Sequence, residues 1–261
     1  MLLRAIMDEV EQSTFAPSRL WVVPNNDGEA VEILRLLRER GERVLESHQR
    51  WGASWSKLEP RIQRELADSV GVPIFGVELE GPNPYGASNI DHHRYSGDDR
   101  SHPLSSVEQV AGIVGVQLDR WRTLVAINDR GYIPGLERFG ASAEEIALVR
   151  AQDRDAQGLT AIHRERAQRD ITAAEWSGRR AAVRCPDGST SWHSDLLYPI
   201  ADEWLLMGPA TWSYSGPRHL KFTALELPEH TWTGGAEDRG YFGIETPSQR
   251  SQDNIRALFF G

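Results

Sequence analysis

The chain has a single cysteine, Cys185. That excludes an intrachain disulfide and a cysteine-rich zinc module, and it points to an intracellular, cytoplasmic protein. No apolar run approaches the roughly 20 residues that a membrane-spanning helix needs, so the sequence predicts a soluble chain without a membrane partner. The opening "MLLRAIMDEVEQ" has too short an apolar run for a signal peptide. Its Leu3, Ile6, Met7 and Val10 instead fit one face of a short helix. Positive charge is in deficit as well. At a net charge of −9 the whole-molecule field does not favour long duplex nucleic acid. No internal repeat and no low-complexity tract is present.

What remains is a globular composition, with 39% apolar and 26% charged residues over 261 positions. That length holds one large domain or two modest ones with real cores. Nine tryptophans are a high count; most are expected in cores, with one or two free to line a ligand pocket and stack on a ring.

"SRLWVVP" (18–24) reads as a buried strand, and "GEAVEILRLLRERG" (28–41) as a helix striped by Ile33, Leu34, Leu36 and Leu37 and stopped at Gly41. "ERVLES" reads as a second strand, "KLEPRIQRELADSV" (57–70) as a helix and "VPIFGVELE" (72–80) as a third strand. This alternation predicts an α/β domain in which helices flank a parallel sheet. Two more helices are expected over 105–115 and 117–129, followed by a turn-like "RGYIPG" and two charged, mostly solvated helices over 142–157 and 161–176. From about residue 177 the texture changes. Strand-like pieces "RAAVRC", "STSWHS", "LKFTALEL" and "RGYFGIE" alternate with glycine and proline turns, before a last helix "SQRSQDNIRALFF". The expected organisation is an α/β domain over 1–160, a helical connector over 161–176 and a smaller α+β domain over 177–261.

In a parallel sheet, ligands bind beyond the carboxyl ends of the strands. Asp27, Glu78 or Glu80, and Asp91 each fall at or just past such an end, and "NIDHHRY" (89–95) adds His92 and His93. Asp129 closes the helix that follows, and Glu29 stands in the first turn after Asp27. Hard carboxylates with one or two imidazoles suit Mn²⁺ or Mg²⁺ better than a metal that prefers thiolates. A pair of such ions roughly 3.5–4 Å apart can generate a hydroxide nucleophile and clamp a phosphate for in-line displacement.

This ordered set resembles the DHH phosphoesterase superfamily, which includes manganese-dependent pyrophosphatases, single-strand exonucleases and phosphodiesterases of very short RNAs or cyclic dinucleotides. "NIDHHRY", followed by Ser105–Ser106 at the start of a helix, carries the similarity most strongly. "PNNDGEA", "FGVELEG" and "LVAINDRGYIP" stand where the family's other acidic motifs fall, over roughly residues 18 to 160. The resemblance implies hydrolysis of a phosphoester or phosphoanhydride in a small nucleotide or short oligonucleotide. It implies His92 as a metal ligand, His93 facing the scissile phosphate, and Asp91 holding an imidazole in place. The second-motif carboxylate falls at Glu78 or Glu80, which the sequence does not separate; the implied ligand set is Asp27, Glu29, Glu80, His92 and Asp129. "TWTGGAEDRGYFG" (231–243) would be a substrate loop, with Gly234, Gly235 and Arg239 on the phosphate.

The chain departs from the family where a histidine usually precedes the first aspartate by four residues, a position held here by Val23. Glu29 stands in place of an aspartate, as does the second-motif glutamate. These departures leave a second reading, a member that binds a nucleotide or a partner without hydrolysing it.

Overall fold

The structure is a computed structural model and describes residues 19–236 and 238–261. The expected helix through Leu3, Ile6, Met7 and Val10 lies outside them. Strand β1 (Leu20–Pro24) is buried at every position, as a strand covered on both faces must be. Its period-2 alternation divides two cores. Trp21 and Val23 pack with helix α1 (Gly28–Glu39), whereas Leu20 and Val22 pack with helix α2 (Pro60–Asp68). Strands β2 (Arg43–Ser47), β3 (Ile74–Val77) and β4 (Ser88–Ile90) complete a parallel sheet in the order β2-β1-β3-β4. The α/β expectation therefore describes this half of the molecule, and the expected stripe of α1 is buried throughout. Gly76 in β3 has no space for a side chain, because the Trp55 indole occupies the place where its Cβ would stand.

Helix α3 (Ser106–Val114) lays Val107, Val110, Ala111 and Val114 on the α1 side of the sheet. Helix α4 (Arg120–Phe139) is broken at Tyr132, whose φ of 52° and ψ of −154° lie in a region that residues with a Cβ avoid. "RGYIPG" thus does interrupt the helix, but the helix resumes. Pro134 falls in the first turn of the resumed segment, where a missing N–H leaves no bond unmade. Helix α5 (Ala143–Ala156) is less solvated than its charge predicts, since Val149, Arg150 and Asp153 are buried. Helix α6 (Ala161–Thr172) ends earlier than expected, and Glu175–Ser177 instead forms strand β7.

The second sheet has eight strands in the order β6-β5-β11-β12-β10-β9-β8-β7. Its members are β5 (Arg94–Tyr95), β6 (Asp98–Asp99), β7, β8 (Arg180–Arg184), β9 (Glu203–Met207), β10 (Thr211–Gly216), β11 (Thr231–Ala236) and β12 (Arg239–Glu245). All neighbours are antiparallel except β8 and β9. Two segments expected as strands are partly helical, α7 (Ser191–Leu197) overlapping "STSWHS" and α8 (His219–Thr223) overlapping "LKFTALEL". Each is a single amphipathic turn or two covering a sheet face. His193 and Leu197 are buried four residues apart, and Phe222 stacks on Tyr214 at 4.1 Å. Tertiary packing overrides the β-propensity of these short stretches. Helix α9 (Gln249–Phe260) closes the chain as expected, burying Ile255 and Phe259.

The texture change near residue 177 coincides with the start of β7 and β8, but β5 and β6 reach the same sheet from residues 94–99. The chain thus passes from β4 of the first sheet, through the two histidines, straight into β5 of the second.

Candidate metal centre

The carboxyl edge of the parallel sheet collects the acids. Asp27 follows β1 and caps α1, its Oδ1 accepting from Ala30 N at 2.8 Å, so the cap and a place at the site are one role. Glu29, one turn into α1, is 3% exposed and accepts from Val107 N at 2.9 Å. Glu78 follows β3 with a φ of 48°, a left-handed backbone that a β-carbon disfavours. Glu78 N donates to Ile90 O at 2.9 Å, and the Ser106 hydroxyl donates to Glu78 Oε1 at 2.8 Å. These bonds hold the carboxylate over the sheet edge despite the strain. His92 and His93 leave β4, and Asp129 arrives from α4 just before its break.

One ligand atom from each of Glu29, Glu78, His92 and Asp129 lies within 4.8 Å of all the others, and Glu78, His92 and His93 meet the same limit. His92 Nε2 stands 2.6 Å from Asp129 Oδ2, yet both atoms are buried without an aligned hydrogen-bond partner. Glu29 Oε2 is buried and unpartnered too. An unmet buried polar atom ordinarily costs 1–3 kcal/mol. Carboxylate oxygens and an imidazole nitrogen crowded at one point, with Glu29 Oε2 lacking any partner, make a donor set that a cation can take over by displacing the proton between His92 and Asp129. The residues therefore fit a hard divalent ion.

The electrostatics agree. Burial pushes Glu29 well above the usual carboxylate range, and Asp129 and Glu78 push it further. Asp27 is raised likewise, by burial and then by Glu78, Asp129 and Asp153. Burial would lower His92, but Asp129 and Glu78 outweigh it and hold the imidazole up to about 12. Burial would raise Glu78, but His92, His93 and Ser106 hold it down to about 2. A bound cation would relieve the repulsion that raises Glu29 and Asp27 and would take the place of the proton on His92.

Asp91 is 4% exposed and organises the turn. Its Oδ1 accepts from His92 N at 2.8 Å, His93 N at 3.0 Å and His93 Nδ1 at 2.9 Å. Its Oδ2 accepts from Tyr95 Oη at 3.1 Å and Arg100 Nη1 at 3.4 Å. Orienting an imidazole is the part the sequence predicts for Asp91, and the imidazole in question is that of His93.

Several predicted residues are placed differently. Glu80 does not join the cluster. Two residues beyond Glu78, its Oε2 is 2.9 Å from His230 Nε2, on the wall of a separate cavity of about 360 Å³ also lined by Lys57, Tyr95 and Glu245. Residues two apart in an extended strand share a face, but the left-handed backbone at Glu78 breaks the extended run after β3, and Glu78 is the one that joins the cluster. Gly234 and Gly235 are not in a loop, because "TWTGGAEDRGYFG" forms the antiparallel hairpin of β11 and β12. A Cβ on Gly235, whose φ is 91°, would meet Gly240 Cα at 2.6 Å, so close strand pairing explains this glycine. Arg239 lies at the start of β12 with its guanidinium 5.1 Å from the Trp204 ring, and its Nε and Nη2 are buried without partners. Val23 is fully buried among the residues of the α1 core and cannot supply a ligand.

Three residues at the site escape the sequence reading. Tyr95 and Arg100 hold Asp91, and Asp153 of α5 accepts from Gly28 N at 3.1 Å behind the first-motif acids. Tyr95 ends "DHHRY" itself, which was the available signal; Arg100 lies five residues beyond that motif and Asp153 lies 125 positions from its partner, and neither carries a signal.

No family model matches the chain, and no curated protein matches it. Solved structures with low similarity include the pGpG-specific phosphodiesterase PggH of Vibrio cholerae, at 12% identity and a TM-score of 0.34, covering 93% of this chain and 97% of that one. The exonuclease RecJ bound to manganese aligns at 11% identity and a TM-score of 0.39, covering 98% and 92%. An uncharacterized protein from Helicobacter pylori G27 aligns at 10% identity and a TM-score of 0.29, covering 92% and 98%. At such scores the geometry of the centre has to stand by itself.

Proposed function

We propose that the chain is a divergent DHH-type phosphoesterase that uses a divalent metal, Mn²⁺ or Mg²⁺, to hydrolyse a phosphoester or phosphoanhydride of a small nucleotide or short oligonucleotide. The observation that carries this reading is the convergence of the partnerless Glu29 Oε2 with the close His92–Asp129 pair beside Glu78. These four residues would hold the ion, with Asp27 at the rim. When bound, the ion supplies Lewis acidity and an activated water.

The protein's own groups do the rest. Asp91 orients His93 through its Nδ1, and protonated His93 offers positive charge toward a phosphoryl oxygen as negative charge builds there. Burial would lower the His93 pKa, but the Asp91 bond and Glu78 raise it, which favours that charged form. Arg239, unsatisfied at two nitrogens, would bind phosphate from the second sheet. Because Val23 cannot ligate, the centre would hold at most one ion tightly and a second weakly.

Metal analysis of the purified protein, followed by a phosphate-release screen over mono-, di- and cyclic nucleotides and short oligonucleotides, tests the reading. Bound Mn²⁺ with release from at least one substrate is expected. Bound metal with tight nucleotide binding but no release would convert the proposal to a non-hydrolysing binder, and no metal would end it.

A further inference from the structure

The second sheet has two faces at its β11–β12 end. Phe242 and Ile244 of β12 point into the core shared with α8 and α9. Alternation therefore turns Arg239 and Tyr241 to the opposite face. There the Tyr241 ring centroid lies 6.3 Å from that of His93. Burial raises the phenol well above its usual pKa, and Asp129, Glu78, Asp91 and Asp27 raise it further. Those four carboxylates belong to the metal centre and its rim, and the phenol stays a neutral donor beside His93.

Its position is built in. A Cβ on Gly234, across the hairpin, would fall onto Tyr241 Oη and lie 2.7 Å from Cζ, so only glycine lets the ring lie there. Thr233 Oγ1 donates to the Tyr241 carbonyl at 2.7 Å and pins the backbone. Among the described residues the hydroxyl has no hydrogen-bond partner, although Tyr95, its counterpart on β5, gives its own to Asp91. A tyrosine buried against a polar site ordinarily finds an acceptor. Here the imidazole of His93 is the ring that neighbours the phenol.

We propose that Tyr241 is a substrate contact, its phenolic O–H donating to a phosphoryl oxygen seated between His93 and the second sheet, with Gly234 as the residue that positions it. The inference rests on the phosphoester reading and deepens it. It replaces the expected glycine loop with a tyrosine presented by a glycine. The geometry also separates the two sheets' duties, since Tyr241 approaches the ligand and not the ion.

Tyr241→Phe removes the hydroxyl and keeps the ring. The full chain, loaded with Mn²⁺, is titrated calorimetrically with inorganic phosphate and with adenosine 5′-monophosphate. The variant should bind Mn²⁺ as the parent does and melt at the same temperature, while phosphate and the mononucleotide bind about tenfold more weakly. Gly234→Ala, which displaces the ring, should weaken phosphate binding similarly, and Tyr241→Phe in that background should add little further loss. If the parent binds phosphate and Tyr241→Phe binds it equally well, Tyr241 is only packing and the inference fails alone. If Mn²⁺-loaded parent binds neither probe, the contact and the phosphoester reading fall together. Loss of Mn²⁺ affinity in Tyr241→Phe would also overturn the inference, because it would put the phenol on the ion.

Discussion

The two sheets bring opposite chemistry to the same gap. The parallel sheet delivers carboxylates, because each of its strands runs the same way and ends at the same edge, so Asp27, Glu29 and Glu78 gather without any long loop. The second sheet delivers rings and a guanidinium, Tyr95 from β5 and Tyr241 and Arg239 from β12, whose other face is core. His92 and His93 lie in the few residues that join β4 to β5 and so belong to both. The lesson is a division of labour. Ion affinity should depend on the first sheet and ligand affinity on the second, and the two should be separable by mutation.

The strongest way to break that division is to remove an ion ligand. His92→Ala and Asp129→Ala should each lower Mn²⁺ affinity by more than about 100-fold in a calorimetric titration, since even residues behind the ligands are worth 10–100-fold. His93→Ala should keep the ion and lose phosphate binding. Retention of parental Mn²⁺ affinity in both ligand variants would move the centre elsewhere.

The next effect is that of pH. His92 is held up to about 12 in the fold, against about 6.5 in an unfolded chain. Its ion pair with Asp129 thus stabilises the metal-free protein fully below pH 6.5, and that stability is lost as pH rises through the folded value. Mn²⁺ has to displace this proton. Affinity should therefore rise with pH, about tenfold per unit across the neutral range, with one proton released per ion. Titrations in buffers of different ionisation enthalpy count that proton; a pH-independent affinity with no release would mean that His92 is not a ligand.

A smaller effect tests how the sheets are tied together. Asp153 bonds Gly28 N behind the first-motif acids and Arg150 at 2.9 Å, and Arg150 Nε in turn donates to Asp195 of α7 at 2.9 Å. Tyr132, at the break in α4, donates to the same Asp195 oxygen at 2.7 Å. Asp153→Ala should cost about 2–3 kcal/mol in urea unfolding by leaving buried donors unmet. Gly28→Ala should act in the same direction, because its Cβ would meet the Asp153 backbone at 3.1 Å. A single unfolding transition with unchanged stability would show that the network is ornamental to the fold.

The parallel half was legible because each of its signals is local. A hydrophobic run gives β1, a 3.6-residue stripe gives α1, and an acid after β1, β3 and β4 marks the edge. The mixed half was not, because what decides it is distant. α7 and α8 are helical through the sheet faces they cover, and β5 is too short to show a pattern before it pairs with β11. The same contrast holds within the site. Glu29, His92 and Asp129, which the family resemblance implied, lie within one cluster with Glu78, and Asp27 feels the charges of Glu78 and Asp129 beside it, but Tyr241 required the register that sets it opposite Gly234.

The smallest effect separates two glutamates that the sequence could not. Glu78 has a strained backbone, a hydroxyl donor in Ser106 and an oxygen 3.5 Å from His92 Nε2. Glu80 faces His230, lining the separate cavity with Glu245 nearby, and burial raises its pKa while His230 offsets part of that rise. Glu78→Gln removes the negative charge, leaves one neutral amide oxygen at the cluster and should weaken Mn²⁺ binding at least tenfold, or about 1.4 kcal/mol. Glu80→Gln changes a partly exposed pair on another wall. An exposed pair of this kind is worth about 0–1 kcal/mol, so Mn²⁺ affinity should stay within about twofold of the parent. If Glu80→Gln proves the more damaging of the two, the edge of the parallel sheet does not end at Glu78, and the ion lies nearer His230 than His92.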